Sequence, residues 1–116
     1  MTFTIYHNPN CSKSRKTLAI LKSKFTDIIV VEYLKNPPDE TELKDIIIKL
    51  NVSPKELIRF KDDRAKELKI SFEDDFSYDK WISILVHNPK LIERPIVVFE
   101  NSAVIGRPPE NVLKLI

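Results

Sequence analysis

The sequence has a single glycine, a single cysteine and two histidines in 116 residues, and each scarcity excludes a class of site. Dinucleotide fingerprints and phosphate-binding P-loops need several glycines so that the backbone can approach the ligand, and Gly106 alone cannot supply either motif. Cys11, His7 and His87 are too few and too scattered for zinc-ligand spacing. The sequence therefore predicts no metal site and no bound cofactor of these classes.

The sequence also lacks a long hydrophobic run and an excess of one charge. Its longest apolar runs, IIVV and PIVVF, have the length of strands, and the N-terminus MTFTIYHN does not resemble a signal peptide. Lys and Arg number 19 against 17 Asp and Glu, so the net charge of +2 does not favour a nucleic acid or an anionic membrane as a partner. We expect a cytoplasmic monomer that binds neither.

Hydrophobic periodicity predicts one α/β domain over residues 1–116. A strand at 3–7, a helix at 14–25 and a buried strand at 27–34 give a β-α-β order, which favours parallel neighbouring strands. Further helices are predicted at about 39–50, 54–59, 63–69 and 78–87, followed by an antiparallel hairpin around Asn101-Ser102 and a C-terminal helix opened by prolines. The helical segment at about 39–88 is thus an insertion into a mixed four-stranded sheet.

The stretch YHNPNCSKSRKTL places the only cysteine between a strand and a helix. A thiol in the first turn of a helix faces unpaired backbone N–H groups and the positive end of the helix dipole, which favour the thiolate. Arg15, Lys13 and His7 can add positive charge, and the Ser14 hydroxyl can donate a hydrogen bond. Two simpler roles stay open: His7 merely ends the strand, and Ser14 merely satisfies backbone N–H groups. The polar surroundings favour a nucleophilic Cys11 over a buried structural cysteine.

Three of the five arginines, Arg59, Arg94 and Arg107, lie at predicted element ends or before a proline. Loops at such positions often carry function, and the planar fork of arginine suits a tetrahedral oxyanion better than a lysine does. For Arg94 and Arg107 the pattern favours oxyanion binding. For Arg59 a helix-capping charge is an equal alternative. Arg64 is expected on a solvated helix face, and His87 is expected as a cation at a helix C-terminus.

The stretches TIYHNPNCSKSRKTL, LKNPP, ELIRFK, RPIVV and GRPPENVL together resemble the glutaredoxin-dependent arsenate reductases of bacteria, nearly from end to end. The resemblance implies a thioredoxin-like fold with a helical insertion and Cys11 as the nucleophile that attacks arsenate. It also implies that Arg59, Arg94 and Arg107 bind the oxyanion and that Pro95 is the cis-proline facing the active site. Glutathione and glutaredoxin are the implied external thiols.

Ser14 stands where dithiol oxidoreductases carry their second cysteine, so Cys11 has no internal resolving thiol and needs an outside reductant. The predicted function is the reduction of arsenate to arsenite. One alternative is a thioredoxin-like regulator that binds RNA polymerase, although regulators with a thiol switch carry Cys-x-x-Cys. Another is a thiol oxidoreductase of the same family with a different substrate. A monothiol glutaredoxin is disfavoured because its glycines are missing.

Overall fold

The computed structural model of the chain describes residues 2–116. The chain divides into two compact units, the first formed by the residues up to 36 together with 94–116, and the second by residues 37–93. The second unit has nearly the bounds predicted for the helical insertion, about 39–88. That the two units act as one domain stays a prediction.

The first unit contains a mixed four-stranded sheet in the order β2-β1-β3-β4. Its strands are β1 (Phe3–His7), β2 (Ile28–Glu32), β3 (Ile96–Phe99) and β4 (Ser102–Ile105). β1 runs parallel to β2 and antiparallel to β3, and β3 and β4 form an antiparallel hairpin. The predicted sheet, its parallel pair and its hairpin are confirmed.

β2 is an edge strand of this sheet, and the prediction that it is buried is wrong. Ile29 and Val30 are 52% and 42% exposed. A continuous apolar run is typical of a strand covered on both faces, but periodicity alone does not show whether such a strand lies inside a sheet or at its edge.

Two helical segments cover this unit's core. Helix α1 spans Ser12–Lys24, and the predicted C-terminal helix is a 3₁₀ helix over Pro109–Leu115 that packs against α1 and β4. The core beneath them consists of buried apolar side chains from both strands and helices: Phe3, Ile5, Leu21, Val97 and Val112. Because Leu21 and the sheet residues lock α1 in place, the N-terminus of α1 is fixed relative to the end of β1.

The second unit is helical, as predicted. It contains α2 (Glu40–Leu50), α3 (Asp63–Leu68), α4 (Tyr78–His87) and 3₁₀ helices at Pro54–Leu57 and Pro89–Leu91. Side-chain caps start all three α-helices of this unit: Asp39 accepts the Glu42 N–H at 2.8 Å, Asp62 accepts the Arg64 N–H at 2.9 Å, and Ser77 accepts the Lys80 N–H at 3.1 Å.

Within residues 2–116, none of the helices has the length and apolar character needed to cross a membrane.

Candidate active site

Cys11 is the N-cap residue of α1, at the end of a tight loop that follows β1. Its own N–H donates to the Asn8 carbonyl at 3.0 Å, and its carbonyl accepts the Arg15 N–H at 3.0 Å. The Asn8 side chain further stabilises the loop by accepting the Asn10 N–H at 3.0 Å. The backbone therefore holds the thiol at the N-terminus of the helix, where the unpaired N–H groups favour negative charge.

The pKa of the Cys11 thiol lies below its ordinary value. Partial burial raises this pKa, but hydrogen bonding of the thiolate to the Ser14 backbone N–H, the Arg94 side chain and the Lys13 backbone N–H outweighs the burial. The positive charge of Arg94 lowers the pKa further. A thiolate is the reactive form of cysteine, so these groups favour the reactive form of Cys11.

Arg94 and Arg107 lie beside this thiol. Nη1 of Arg107 is 3.9 Å from Sγ of Cys11 and donates to the Arg94 carbonyl at 3.1 Å. Nε of Arg94 is buried and has no hydrogen-bond partner among residues 2–116. A buried donor without a partner costs about 1–3 kcal/mol, so this atom favours binding of an acceptor. The peptide bond between Arg94 and Pro95 is cis, as the resemblance implied.

His7 and Ser14 form a buried hydrogen-bonded pair directly behind the loop. Nδ1 of His7 and Oγ of Ser14 are 2.7 Å apart, and Oγ accepts the Asn8 N–H at 3.0 Å. Burial lowers the pKa of His7, with Lys22 and Arg15 also lowering it and Glu32 opposing them. Burial therefore favours the neutral imidazole of His7, and its tautomer decides which of Nδ1 and Oγ donates in this pair. The hydroxyl of Ser14 is thus hydrogen-bonded to His7, while the backbone N–H of Ser14 is hydrogen-bonded to the Cys11 thiolate.

Comparison with known proteins places this arrangement in a family. Residues 6–115 match the ArsC family. The chain belongs to the ArsC family. It is 48% identical over 113 residues to the uncharacterized protein YfgD of Escherichia coli K12, covering 97% of this chain and 94% of YfgD. It is 40% identical to the arsenate reductase of Haemophilus influenzae Rd, covering 100% of both chains.

The fold agrees with this ArsC assignment. The solved arsenate reductase from Vibrio cholerae superposes with a TM-score of 0.94 at 41% identity, covering 100% of this chain and 98% of that chain. The predicted thioredoxin-like α/β fold is therefore confirmed.

Arg59 belongs to the second unit, where two acidic residues surround its guanidinium. Nη1 is 3.4 Å from Oδ2 of Asp62, and Nε is 3.7 Å from Oε1 of Glu93. The Arg59 backbone N–H donates to the Leu91 carbonyl at 2.8 Å. The two ion pairs order this side chain within its own unit. Its role as an oxyanion ligand in this ArsC protein stays a prediction.

Two further polar residues singled out in the sequence, Arg64 and His87, have local partners. Arg64 donates from Nε to Oδ1 of Asn88 at 2.8 Å and from Nη1 to Glu67 at 2.9 Å. Its side chain is half-exposed. The expectation was a solvated helix face, and the structure adds these two side-chain bonds. His87 ends α4, and its Nδ1 lies 2.7 Å from the Ser83 carbonyl oxygen. Both residues therefore make bonds within the helical unit.

Arg15 contributes more than charge at the N-terminus of α1. Its Nη1 donates to the Pro9 carbonyl at 2.9 Å, so the side chain folds back over the loop that precedes Cys11. Arg15 thus stabilises the conformation of the loop that presents the thiol.

Sequence reasoning missed the residues that hold the two arginines in position. Gly106 packs so tightly that a Cβ there would lie 2.6 Å from Oγ1 of Thr17 and 2.8 Å from Cγ of Pro95. Its N–H donates to the Pro95 carbonyl at 2.8 Å. Nδ2 of Asn111 donates to the Arg107 carbonyl at 3.1 Å. The one available signal was the sole glycine, directly before an arginine.

Proposed function

We propose that this chain reduces arsenate to arsenite with Cys11 as the nucleophile. One observation carries the proposal: in a chain of the ArsC family, a thiol with a lowered pKa lies beside two arginine side chains. Several curated relatives, among them the Haemophilus influenzae protein, bear the name arsenate reductase. The buried, unpartnered Nε of Arg94 within residues 2–116 supports an oxyanion as the substrate class.

The first step follows from ordinary nucleophilic chemistry. The Cys11 thiolate attacks arsenic(V), a sulfur–arsenic bond forms, and one arsenate oxygen leaves as water after protonation. Arg94 and Arg107 stabilise the negative charge on the remaining oxygens. We assign the same role to Arg59, which the sequence resemblance implies. No resident cofactor enters this step.

The second half of the reaction needs thiols from outside the chain, because the sequence has one cysteine. A glutathione thiolate attacks Sγ of Cys11, the electron pair of the sulfur–arsenic bond passes to arsenic, and arsenite leaves. Arsenic is reduced by two electrons, and the two thiols are oxidised to a mixed disulfide. Glutaredoxin then reduces this disulfide and regenerates the Cys11 thiolate. The location of the reaction is proposed to be the cytoplasm, where such thiols are kept reduced.

A coupled assay tests the proposal. Arsenate-dependent NADPH consumption is measured with glutathione, glutathione reductase and glutaredoxin present. We expect turnover by the wild type and none by Cys11→Ser, since serine is far less nucleophilic. Thioredoxin with its reductase is expected to replace glutaredoxin poorly, because it does not act efficiently on a glutathione adduct.

Two results would reject parts of the scheme. Full turnover with thioredoxin alone would reject the dependence on glutathione. No turnover with any reductant, from a folded wild type whose thiol is free, would reject arsenate reduction and favour the RNA polymerase-binding alternative.

A further inference from the structure

The exposed side of α1 carries positive charge next to the candidate nucleophile. This helix has five exposed basic residues and no acidic residue: Lys13, Arg15, Lys16, Lys22 and Lys24. The whole chain has a net charge of only +2, so α1 differs strongly from the average surface. The first three of these residues lie within five positions of Cys11.

These five side chains differ from many other basic residues of the described chain in their ion pairing. None of the five forms an ion pair with a carboxylate among residues 2–116, whereas several basic residues elsewhere do. The 3₁₀ helix that packs against α1 contains one acidic residue, Glu110, and one basic residue, Lys114, so it adds no net charge. The N-terminal half of α1 therefore presents a basic surface to solvent.

The three basic residues closest to the thiol differ in their contacts. Lys13 and Lys16 are three residues apart on a helix, so they share one face, and neither side chain has a hydrogen bond within residues 2–116. Arg15 is folded back onto the Pro9 carbonyl at 2.9 Å. A macromolecule that reaches Sγ of Cys11 from the α1 side therefore meets Lys13 and Lys16.

We propose that Lys13 and Lys16 form a docking surface for a protein thiol donor whose surface around its own cysteine is acidic. The inference rests on the proposed function, in which a glutathione adduct on Cys11 must be resolved by an outside protein. In that step the donor thiolate attacks the glutathione sulfur. A donor–glutathione disulfide forms, the bond to Sγ of Cys11 breaks, and Cys11 leaves as the thiolate.

Opposite charges around the two sulfurs increase the rate of encounter, and salt weakens the effect because the charges are exposed. Reversing two charges in such a surface is expected to slow association by about tenfold at low ionic strength. The same change should speed the reaction with a donor whose cysteine is surrounded by basic residues. Opposite effects on the rates with the acidic and the basic donor distinguish a charge-matched docking surface from a general loss of reactivity.

The test uses the full chain with Cys11 converted beforehand to its glutathione mixed disulfide, so it needs no arsenate. A reduced glutaredoxin with acidic residues around its cysteine is mixed with the wild type, with Lys13→Glu/Lys16→Glu, and with the control Lys61→Glu/Lys90→Glu. The control reverses two exposed charges outside α1. Rates with 2-mercaptoethanol, a small thiol with no protein surface of its own, measure any change in the reactivity of the disulfide itself and are used to normalise the others.

We expect the α1 variant to react about tenfold more slowly with the acidic donor at low salt and to approach the wild type at high salt. A glutaredoxin with lysines in place of the acidic residues should prefer the α1 variant. Equal slowing with both donors, equal slowing in the control, or no effect of salt would overturn the proposal. Absence of arsenate turnover would reject the proposed function but would leave this disulfide measurement intact.

Discussion

Replacing Gly106 with alanine should damage the candidate site without changing any side chain that contacts Cys11. The added Cβ would lie 2.6 Å from Oγ1 and 3.1 Å from Cγ2 of Thr17, and 2.8 Å from Cγ of Pro95. Gly106 does not have a positive φ, so alanine brings no backbone strain and the clash is the whole perturbation. Contacts of this length force the neighbours to move.

Neither neighbour can move freely. Thr17 is buried on α1, and its hydroxyl donates to the Lys13 carbonyl at 2.8 Å. Pro95 is buried, and its ring has no flexible end. Overpacking in such a place costs about 1–3 kcal/mol, so we expect Gly106→Ala to lower the free energy of unfolding by that amount.

The variant should also lose activity in the fraction of protein that stays folded. Gly106 precedes Arg107, and Pro95 follows Arg94, so a shift relieving the clash moves both guanidinium groups relative to Sγ. A misplacement of about 1 Å can cost on the order of 10²-fold in rate. We therefore expect kcat/KM for arsenate to fall by about 10- to 100-fold in protein that is still folded.

A double-mutant cycle with Thr17→Ala tests this explanation. Thr17→Ala removes the two side-chain atoms of Thr17 that the new Cβ would meet, so the double variant should recover about 1 kcal/mol relative to the sum of the single variants. Urea unfolding gives the three free energies, and Thr17→Ala alone serves as the control for its lost hydrogen bond. Strictly additive effects would refute the steric explanation.

Four further outcomes are expected. The rate of Cys11 alkylation by iodoacetamide should rise with a midpoint below the ordinary thiol value of about 8.5, and a midpoint at or above that value would contradict activation. Arg107→Lys should lower kcat/KM for arsenate by about 10²-fold because the planar fork is lost, whereas Arg64→Lys should change it little. Ser14→Ala should lower the free energy of unfolding by about 1–3 kcal/mol, measured in urea, because a buried backbone N–H loses its acceptor. The folded state holds the pKa of His7 below its unfolded value of 6.5, so protonation favours unfolding and stability should fall as the pH drops below that value; His7→Gln should remove this dependence.

Much of the fold could be predicted because local signals were strong. Predicted strand β1 matches Phe3–His7, and α4 matches the predicted residues 78–87. Caps and turns have local causes, such as Ser77 before α4 and Asn101 in the hairpin, and a sequence displays local causes directly. The exposure of Ile29 and Val30 in β2 depends on which strand lies at the edge, and strand order is a property of the whole sheet.

In the candidate site too, features with local causes were predictable and features that depend on the whole sheet were not. The position of Cys11 at a helix N-terminus follows from neighbouring residues, so it was predictable. The contact between Arg107 and Cys11 joins residues 96 positions apart and depends on the pairing of β1, β3 and β4. The pairing of His7 with Ser14 was missed because both residues were considered as partners of the thiol. Sequence spacing does not reveal with which of two polar neighbours a buried hydroxyl forms its hydrogen bond.

The placement of Arg94 and Arg107 explains how one set of charges can serve two stages of the proposed reaction. In the free protein both arginines favour the negative charge on Sγ, because Arg94 lowers its pKa and Nη1 of Arg107 lies 3.9 Å away. Once sulfur bonds to arsenic, Sγ loses its negative charge, and that charge now resides on the arsenic-bound oxygens. The arginines need not move far, because Sγ is bonded to arsenic and the oxygens are bonded to the same arsenic atom. Electrostatic stabilisation is thereby passed from nucleophile to substrate, with little of the reorganisation that would slow the step.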